Sequence, residues 1–407
     1  MERTRRKYLH LIAAGATAGI SGCSNSANTA TSAGPPRTSL SVSRDTDDQS
    51  TACFEISFEI PQGVSGVTVD LRSDVVDSTD GFERRNNKNR YSWDTETSRP
   101  SLSVIVDVDA IDYTTYENTF AATASWVFGP TPRIRLWWET AGDWTSVRPL
   151  IDSSDARVAI SQASPGVVGG GFFYLGPHQS YTTDTGGQVL RLVVPDQASL
   201  STPPSTLLNA IANASQYMVD SPHESVLVFS PPDPVRSGGL AHPEAGEFWV
   251  YDGSRLAVPE PVWFHEYAHL CQQYRTTTEM RWAIEGFADC YATLVAYSED
   301  LISEETTYDH FTESEHKSAV LSEPSSWSSD HVPFSKGESV LYVLDRKIRE
   351  QTGKDSWLGD VSYRMNRLDE PVSYRSFRSI VVDIAGSEVG YWVDEHVTTS
   401  AWPDSLE

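Results

Sequence analysis

Between position 53 and about position 163, apolar residues recur at every second place in short runs broken by turn residues; beyond position 169 that rhythm changes. Phe54, Ile56, Phe58 and Ile60 alternate with Glu55, Ser57 and Glu59, and residues 102–108 and 134–138 behave alike. A period of two puts one set of side chains on one face of a strand, so this half reads as a β-sandwich. Past position 169, residues 189–194 and 226–229 read as strands flanking a helical stretch at 206–219. A strand at 247–251 then leads through Pro259-Glu260-Pro261 into a helix, because proline is tolerated in a first turn. After Thr278 the chain reads as mostly helical to its end, interrupted by an acidic, serine-rich loop around 303–329. The expected class is α+β, with a β-sandwich over 53–165, a mixed unit over 166–300 and a helical region over 301–407.

The first 52 residues read as an address and a spacer. Two adjacent arginines in Thr4-Arg5-Arg6-Lys7-Tyr8-Leu9 precede a short, Ala- and Gly-rich apolar stretch at 11–20, the order of a twin-arginine export signal over residues 1–22. It ends Ile20-Ser21-Gly22-Cys23, small residues before a cysteine whose thiol would carry a lipid. Residues 23–52 are rich in Ser, Thr, Ala and Asn, too poor in apolar surface to offset their ordering entropy, and read as a flexible tether. The expected location is the outer face of the cell membrane, anchored through lipidated Cys23. Of the remaining cysteines, Cys53, Cys271 and Cys290, the last two could bridge their helices or stay as buried thiols.

Charge narrows the partners. With 56 acidic against 31 basic residues, net −25, the chain repels nucleic acid, which excludes DNA and RNA as partners. Lysine occurs only at 7, 88, 317, 336, 347 and 354. Sparse lysine with abundant carboxylate fits a protein that stays folded in concentrated salt, where screening removes self-repulsion.

The chemistry is concentrated in His265-Glu266-Tyr267-Ala268-His269. Histidines four residues apart on a helix lie one above the other, so both rings can reach one ion, and neutral imidazole suits zinc. Glu266 is rotated by about 100° around the helix, off the metal. From there a carboxylate can take the proton of a water attacking a carbonyl. A third ligand is expected from Trp282-Ala283-Ile284-Glu285-Gly286-Phe287-Ala288-Asp289, where Glu285 stands in an otherwise apolar helix. An antiparallel helix pair would bring it to the two histidines. Asp289, one turn further on, would accept a hydrogen bond from the outer nitrogen of a ligating ring. Trp263, Phe264, Tyr267, Ala268 and Leu270 surround the histidines, so the helix should be buried, and buried His and Glu need a partner.

With these residues the chain resembles the gluzincin zinc metallopeptidases, within them the glycyl aminopeptidase-like and aminopeptidase N-like families, here in an exported lipoprotein of haloarchaeal type. The resemblance covers roughly residues 169–403. It rests on the His-Glu-x-x-His helix, on Trp282 to Asp289, similar to the Trp-x-x-Glu-Gly helix, and on Ser335-Lys336-Gly337-Glu338-Ser339-Val340-Leu341, similar to the Lys-Gly-x-x-Val-Leu helix. It implies an N-terminal β domain, a thermolysin-like catalytic domain and a helical C-terminal part. It also implies a zinc cofactor and a peptide or protein substrate.

Two positions depart from that pattern. Ala241, in Gly238-Gly239-Leu240-Ala241-His242, stands where those families carry a glutamate that grips a free amino terminus. Phe334 stands where they carry an oxyanion-stabilising tyrosine, leaving His331 or His242 as substitutes. The function expected is a zinc-dependent peptidase with doubtful aminopeptidase specificity. The alternative is a catalytically weakened, zinc-retaining binding protein at the cell surface.

Overall fold

The computed structural model describes residues 35–45, 48–71, 75–85, 89–111, 118–147, 158–162, 165–185, 187–218, 221–312 and 316–403. The export signal and Cys23 lie outside the described residues.

Two five-stranded sheets form the expected sandwich. The first has the order β12-β1-β2-β7-β4, built from β1 (Arg37–Arg44), β2 (Thr51–Glu59), β4 (Val76–Asp80), β7 (Ser101–Asp107) and β12 (Val158–Gln162). The second has the order β11-β10-β3-β6-β5, built from β3 (Val64–Asp70), β5 (Phe82–Arg84), β6 (Arg90–Trp93), β10 (Arg135–Thr140) and β11 (Asp143–Val147). Leu40, Val42, Phe54, Ile56 and Phe58 from one sheet and Val67, Val69, Leu136 and Trp138 from the other share one core. Each such side chain contributes about 1.5–3 kcal/mol by leaving water. Phe58 and Phe82 meet edge to face across the sandwich at 5.5 Å.

The tether expectation needs correcting here, because β1 lies inside it. Thr38, Leu40 and Val42 are buried and register against Phe58, Ile56 and Phe54 of β2. The intervening serines and arginines mask that alternation in a stretch whose composition suggests disorder. The boundary at 165 also moves. β13 (Gly166–Val168) and β14 (Phe172–Leu175) join β9 (Val127–Pro130) and β8 (Ala121–Ala122) in a four-stranded sheet of order β13-β14-β9-β8, so residues from both sides of the boundary are hydrogen-bonded together.

The last sheet, order β15-β16-β17-β19-β18, comprises β15 (His178–Asp184), β16 (Val189–Pro195), β17 (Ser225–Phe229), β18 (Gly239–His242) and β19 (Glu247–Val250). β16, β17 and β19 run parallel, while β15 and β18 are antiparallel edges. β17 and β19 are buried along nearly their whole length, as strands covered on both faces require, whereas β16 leaves Val189 and Arg191 exposed. Val193, Leu227, Phe229 and Trp249 enter the sandwich core. Leu190, Leu192, Val226, Val228, Phe248 and Val250 face the helices.

Those helices are α1 (Pro204–Ala214), α2 (Val262–Cys271), α3 (Trp282–Ser298), α4 (Glu304–Thr312), α5 (Glu338–Gln351), α6 (Leu358–Met365), α7 (Tyr374–Ala385) and α8 (Ser387–Thr398). α4 interrupts what reads as a long acidic loop. Ser303 Oγ accepts the Thr306 N–H at 3.0 Å, Glu304 and Glu305 occupy the first turn where the helix dipole favours them, and Thr307 and Phe311 are buried. Cys290 is a buried free thiol, so α2 and α3 are not bridged through it. No helix among the described residues is long and apolar enough to cross a membrane.

Candidate metal centre

α2 packs on β18 and β19 on one side and on α3 on the other. It begins after Pro261, whose carbonyl accepts the His265 N–H at 3.1 Å, and stops at Gln272, where the backbone turns extended. α3 starts at Trp282, so Glu285 falls in its first turn and Asp289 one turn later.

This pairing brings the expected ligands together. His265 Nε2 and His269 Nε2 are 3.0 Å apart. Glu285 Oε2 lies 3.4 Å from the first and 3.3 Å from the second. Donors held about 2.0–2.2 Å from a tetrahedral zinc stand roughly 3.3–3.6 Å apart; the two Glu285 edges, 3.4 and 3.3 Å, fall in that range and the 3.0 Å edge between the histidines is about 0.3 Å shorter.

The outer ring nitrogens explain why these atoms face inward. His265 Nδ1–H donates to Asp289 Oδ1 at 2.5 Å, and His269 Nδ1–H donates to Gln272 Oε1 at 3.0 Å. With the Nδ1 protons so engaged, two bare Nε2 lone pairs and a carboxylate oxygen converge. Three acceptors facing one point repel unless a cation or extra protons lie between them, so the residues present fit zinc. The electrostatics agree. Burial opposes a charged His265, but the Asp289 carboxylate outweighs it and raises the ring's affinity for a proton. Burial would raise Glu285, but its contacts with the two imidazoles hold it well below the usual carboxylate range.

Glu266 sits off the triangle, 6% exposed. Burial pushes its carboxyl upward, only partly offset by the imidazoles, which moves it towards the range a general base needs near neutrality. The edge strand β18 runs flat against it. A Cβ added at Gly239 would lie 2.7 Å from Glu266 Oε1 and 2.6 Å from the Trp249 carbonyl oxygen, so only glycine fits there. Gly286 plays a similar role behind the ligands. A Cβ there would meet the backbone of Gly337 at 3.2 Å, in the π-helical turn Pro333–Gly337 that opens into α5.

The other candidates divide. Phe334 lies parallel to His265, ring centroids 6.3 Å apart, and His331 lies 5.9 Å from Phe334. His242 points the other way: its Nε2 is 3.1 Å from the Arg133 guanidinium and its ring packs on Gly171 and Phe172. Lys336 is fully buried and donates to the Ala319 carbonyl at 2.6 Å, so it packs rather than lining the centre. Ala241 rests on the helical core.

Sequence reasoning missed Gln272, whose Nε2–H also donates to the Ile284 carbonyl at 2.8 Å and so ties α2 to α3. Its only signal was a polar side chain three residues after His269. It also missed Arg236, which donates to the Gly239 carbonyl at 2.9 Å and adds positive charge near Glu266. Glu247 was missed as well. Its buried carboxylate accepts the backbone N–H groups of Gly170, Gly171 and Phe172 at 2.6, 2.9 and 3.0 Å, tying β19 to the turn between β13 and β14.

No family model matches the sequence. No curated protein matches it either. Among solved structures, the chain is similar to a substituted form of the M1 zinc metallopeptidase from Deinococcus radiodurans bound to a Tyr-Ser-Ala substrate. The TM-score is 0.55 at 15% identity, covering 91% of this chain and 95% of that one. The unsubstituted Deinococcus radiodurans enzyme gives 0.54 at 16% identity, with 91% and 94% covered. An aminopeptidase N family protein from Idiomarina loihiensis gives 0.53 at 10% identity, with 88% and 73% covered. At these identities the likeness is one of fold: this chain has the fold of a two-domain M1 zinc metallopeptidase.

Proposed function

We propose that this protein hydrolyses peptide bonds, with zinc held by His265, His269 and Glu285 and with Glu266 as general base. One observation carries the reading: three acceptor atoms converge within 3.4 Å of one another beside a buried glutamate. Zinc held there would polarise a substrate carbonyl and make a water easier to deprotonate. The chain's own residues supply the rest. Glu266 accepts the proton of the attacking water and can pass it to the leaving amine. Asp289 and Gln272 hold the two rings in the tautomer that presents Nε2. β18, an edge strand of its sheet, passes beside that base, so an extended peptide could lie along it there. The tripeptide substrate carried by the Deinococcus radiodurans protein supports peptides as the substrate class.

With Ala241 in place of an amino-terminal anchor, internal cleavage fits better than strict removal of N-terminal residues. We further place the protein outside the cell, held to the membrane through lipidated Cys23, with zinc as its cofactor and peptides or proteins of the medium as substrate. Phe334 favours a second reading, a zinc-retaining surface protein with weak catalysis, because a phenyl ring donates nothing to an oxyanion.

Hydrolysis of N-terminally blocked and free fluorogenic peptides in high salt, with and without a zinc chelator, separates these readings when run beside Glu266→Gln. Cleavage of blocked peptides that vanishes in the variant, with zinc still bound, supports the peptidase. Equal rates in wild type and variant would refute it.

A further inference from the structure

A second group of ligand-bearing side chains lies on the far side of Asp289, contributed by three elements that meet there. Glu260 precedes α2, His310 is in the last turn of α4, and Glu338 is the first residue of α5. His310 Nε2 lies 3.1 Å from Glu338 Oε2 and 3.4 Å from Glu260 Oε1. The three ligand atoms all lie within 4.8 Å of one another, as do those of His265, His269 and Glu285.

A simple ion bridge accounts poorly for this arrangement. One ring nitrogen carries at most one proton, yet two carboxylates approach the same Nε2, so no more than one can take a well-directed hydrogen bond from it. Glu338 is 3% exposed, and a carboxylate that deep is costly unless its charge is met. Burial pushes the Glu338 carboxyl well above the usual range; its contact with His310 opposes that only in part, and Glu260 and Asp289 add to the rise. Two glutamates against one imidazole, with Asp289 close behind, leave the region short of positive charge.

We propose that Glu260, His310 and Glu338 form a second divalent-cation site, distinct from the zinc centre. The separations of 3.1 and 3.4 Å match the edges of 3.0, 3.4 and 3.3 Å in the first triangle. One nitrogen and two carboxylate oxygens suit zinc or manganese; calcium asks for six to eight oxygens. An ion there would take the Nε2 lone pair of neutral His310 and one oxygen from each glutamate, meeting both charges at once. It would also fasten α4 and α5 to the turn that launches α2. The Glu260 N–H already donates to Thr293 Oγ1 of α3 at 3.0 Å, so the same turn is tied to both helices of the zinc centre.

The test is metal stoichiometry on the full chain, stripped with chelator, reloaded with zinc, desalted and assayed by mass spectrometry. Wild type should retain two equivalents. His310→Ala and the milder, partly exposed Glu260→Gln should each retain one. His265→Ala should also retain one, and this variant separates the two proposals: if only the first site were imagined, its loss would leave the count unchanged. A single wild-type equivalent that His265→Ala abolishes and His310→Ala keeps, or two equivalents in both His310→Ala and Glu260→Gln, would overturn the second site. An anomalous peak within about 2.3 Å of His310 Nε2 in zinc-soaked crystals would place the ion directly.

Discussion

Gly239→Ala should damage catalysis without touching a ligand. The added methyl would stand 2.7 Å from Glu266 Oε1 and 2.6 Å from the Trp249 carbonyl oxygen. Such contacts settle near ~3.5 Å, so the shortfall is roughly 0.8 Å on both sides. The Trp249 carbonyl belongs to β19, a strand paired on both edges, and cannot retreat cheaply. Either the outer strand β18 moves away or Glu266 is displaced, and both alter the spacing between the base and the strand beside it. Displacement approaching 1 Å costs on the order of 10²-fold in rate, and overpacking of this kind about 1–3 kcal/mol. We therefore expect kcat on a blocked fluorogenic peptide to fall by about 10–100-fold, with the zinc content of the His265 site unchanged and Tm lowered by several degrees. Gly187→Ala is the control, since a methyl there meets nothing within 4 Å. A Gly239→Ala protein with wild-type kcat and Tm would show that β18 does not press on Glu266.

Three further outcomes follow from the same geometry. Asp289→Asn should weaken zinc binding by about 10–100-fold, measured by competition with a chromogenic chelator, because His265 loses the carboxylate that orients it; undiminished affinity would deny Asp289 that role. Phe334→Tyr puts a hydroxyl on a ring that lies parallel to His265, and since one oxyanion donor is worth on the order of 10²–10³-fold, it should raise kcat by at least about tenfold; a rate that does not rise would mean the site already has its donor or does not use one. In the metal-free protein, burial opposes a charged His310 but Glu260 and Glu338 outweigh it, lifting the ring from 6.5 to about 10. A folded-state value above the unfolded one stabilises fully below pH 6.5 and is lost as pH rises towards 10, so the stability gap to metal-free His310→Gln should close over that window in urea titrations; a constant gap would refute the charge assignment.

The readable part of this molecule was the part written at helical spacing. His265 and His269 one turn apart, and Glu285 and Asp289 one turn apart, leave a pattern because a single helix fixes their relation. The inward alternation of β2 was legible for the same reason. What stayed hidden depends on chain segments far apart. Glu247 meets Gly170 to Phe172 across more than seventy positions, and Glu260, His310 and Glu338 come from three elements with no common period. β1 was hidden by composition, since its buried Leu40 and Val42 sit among serines, and α4 by the acidic residues that in fact favour its first turn.

That division bears on how the cleft can change. α2 presents two faces at once: His265 and His269 towards α3, and Glu266, about 100° away, towards β18. The distance between ligands and base is therefore set within ten residues, and the close approach of Gly286 to Gly337 secures the helix behind them. Ala241 and Phe334 belong to other elements and make none of the hydrogen bonds that orient His265, His269 and the Gln272 link between α2 and α3, although the Phe334 ring lies parallel to His265. A side chain at either position can thus add or remove a grip on substrate while the metal geometry stays as it is. Specificity and rate in such a cleft can drift independently of metal affinity, so retained zinc measures only the first half of the machinery, and the Glu266 and Phe334 variants are needed to measure the second.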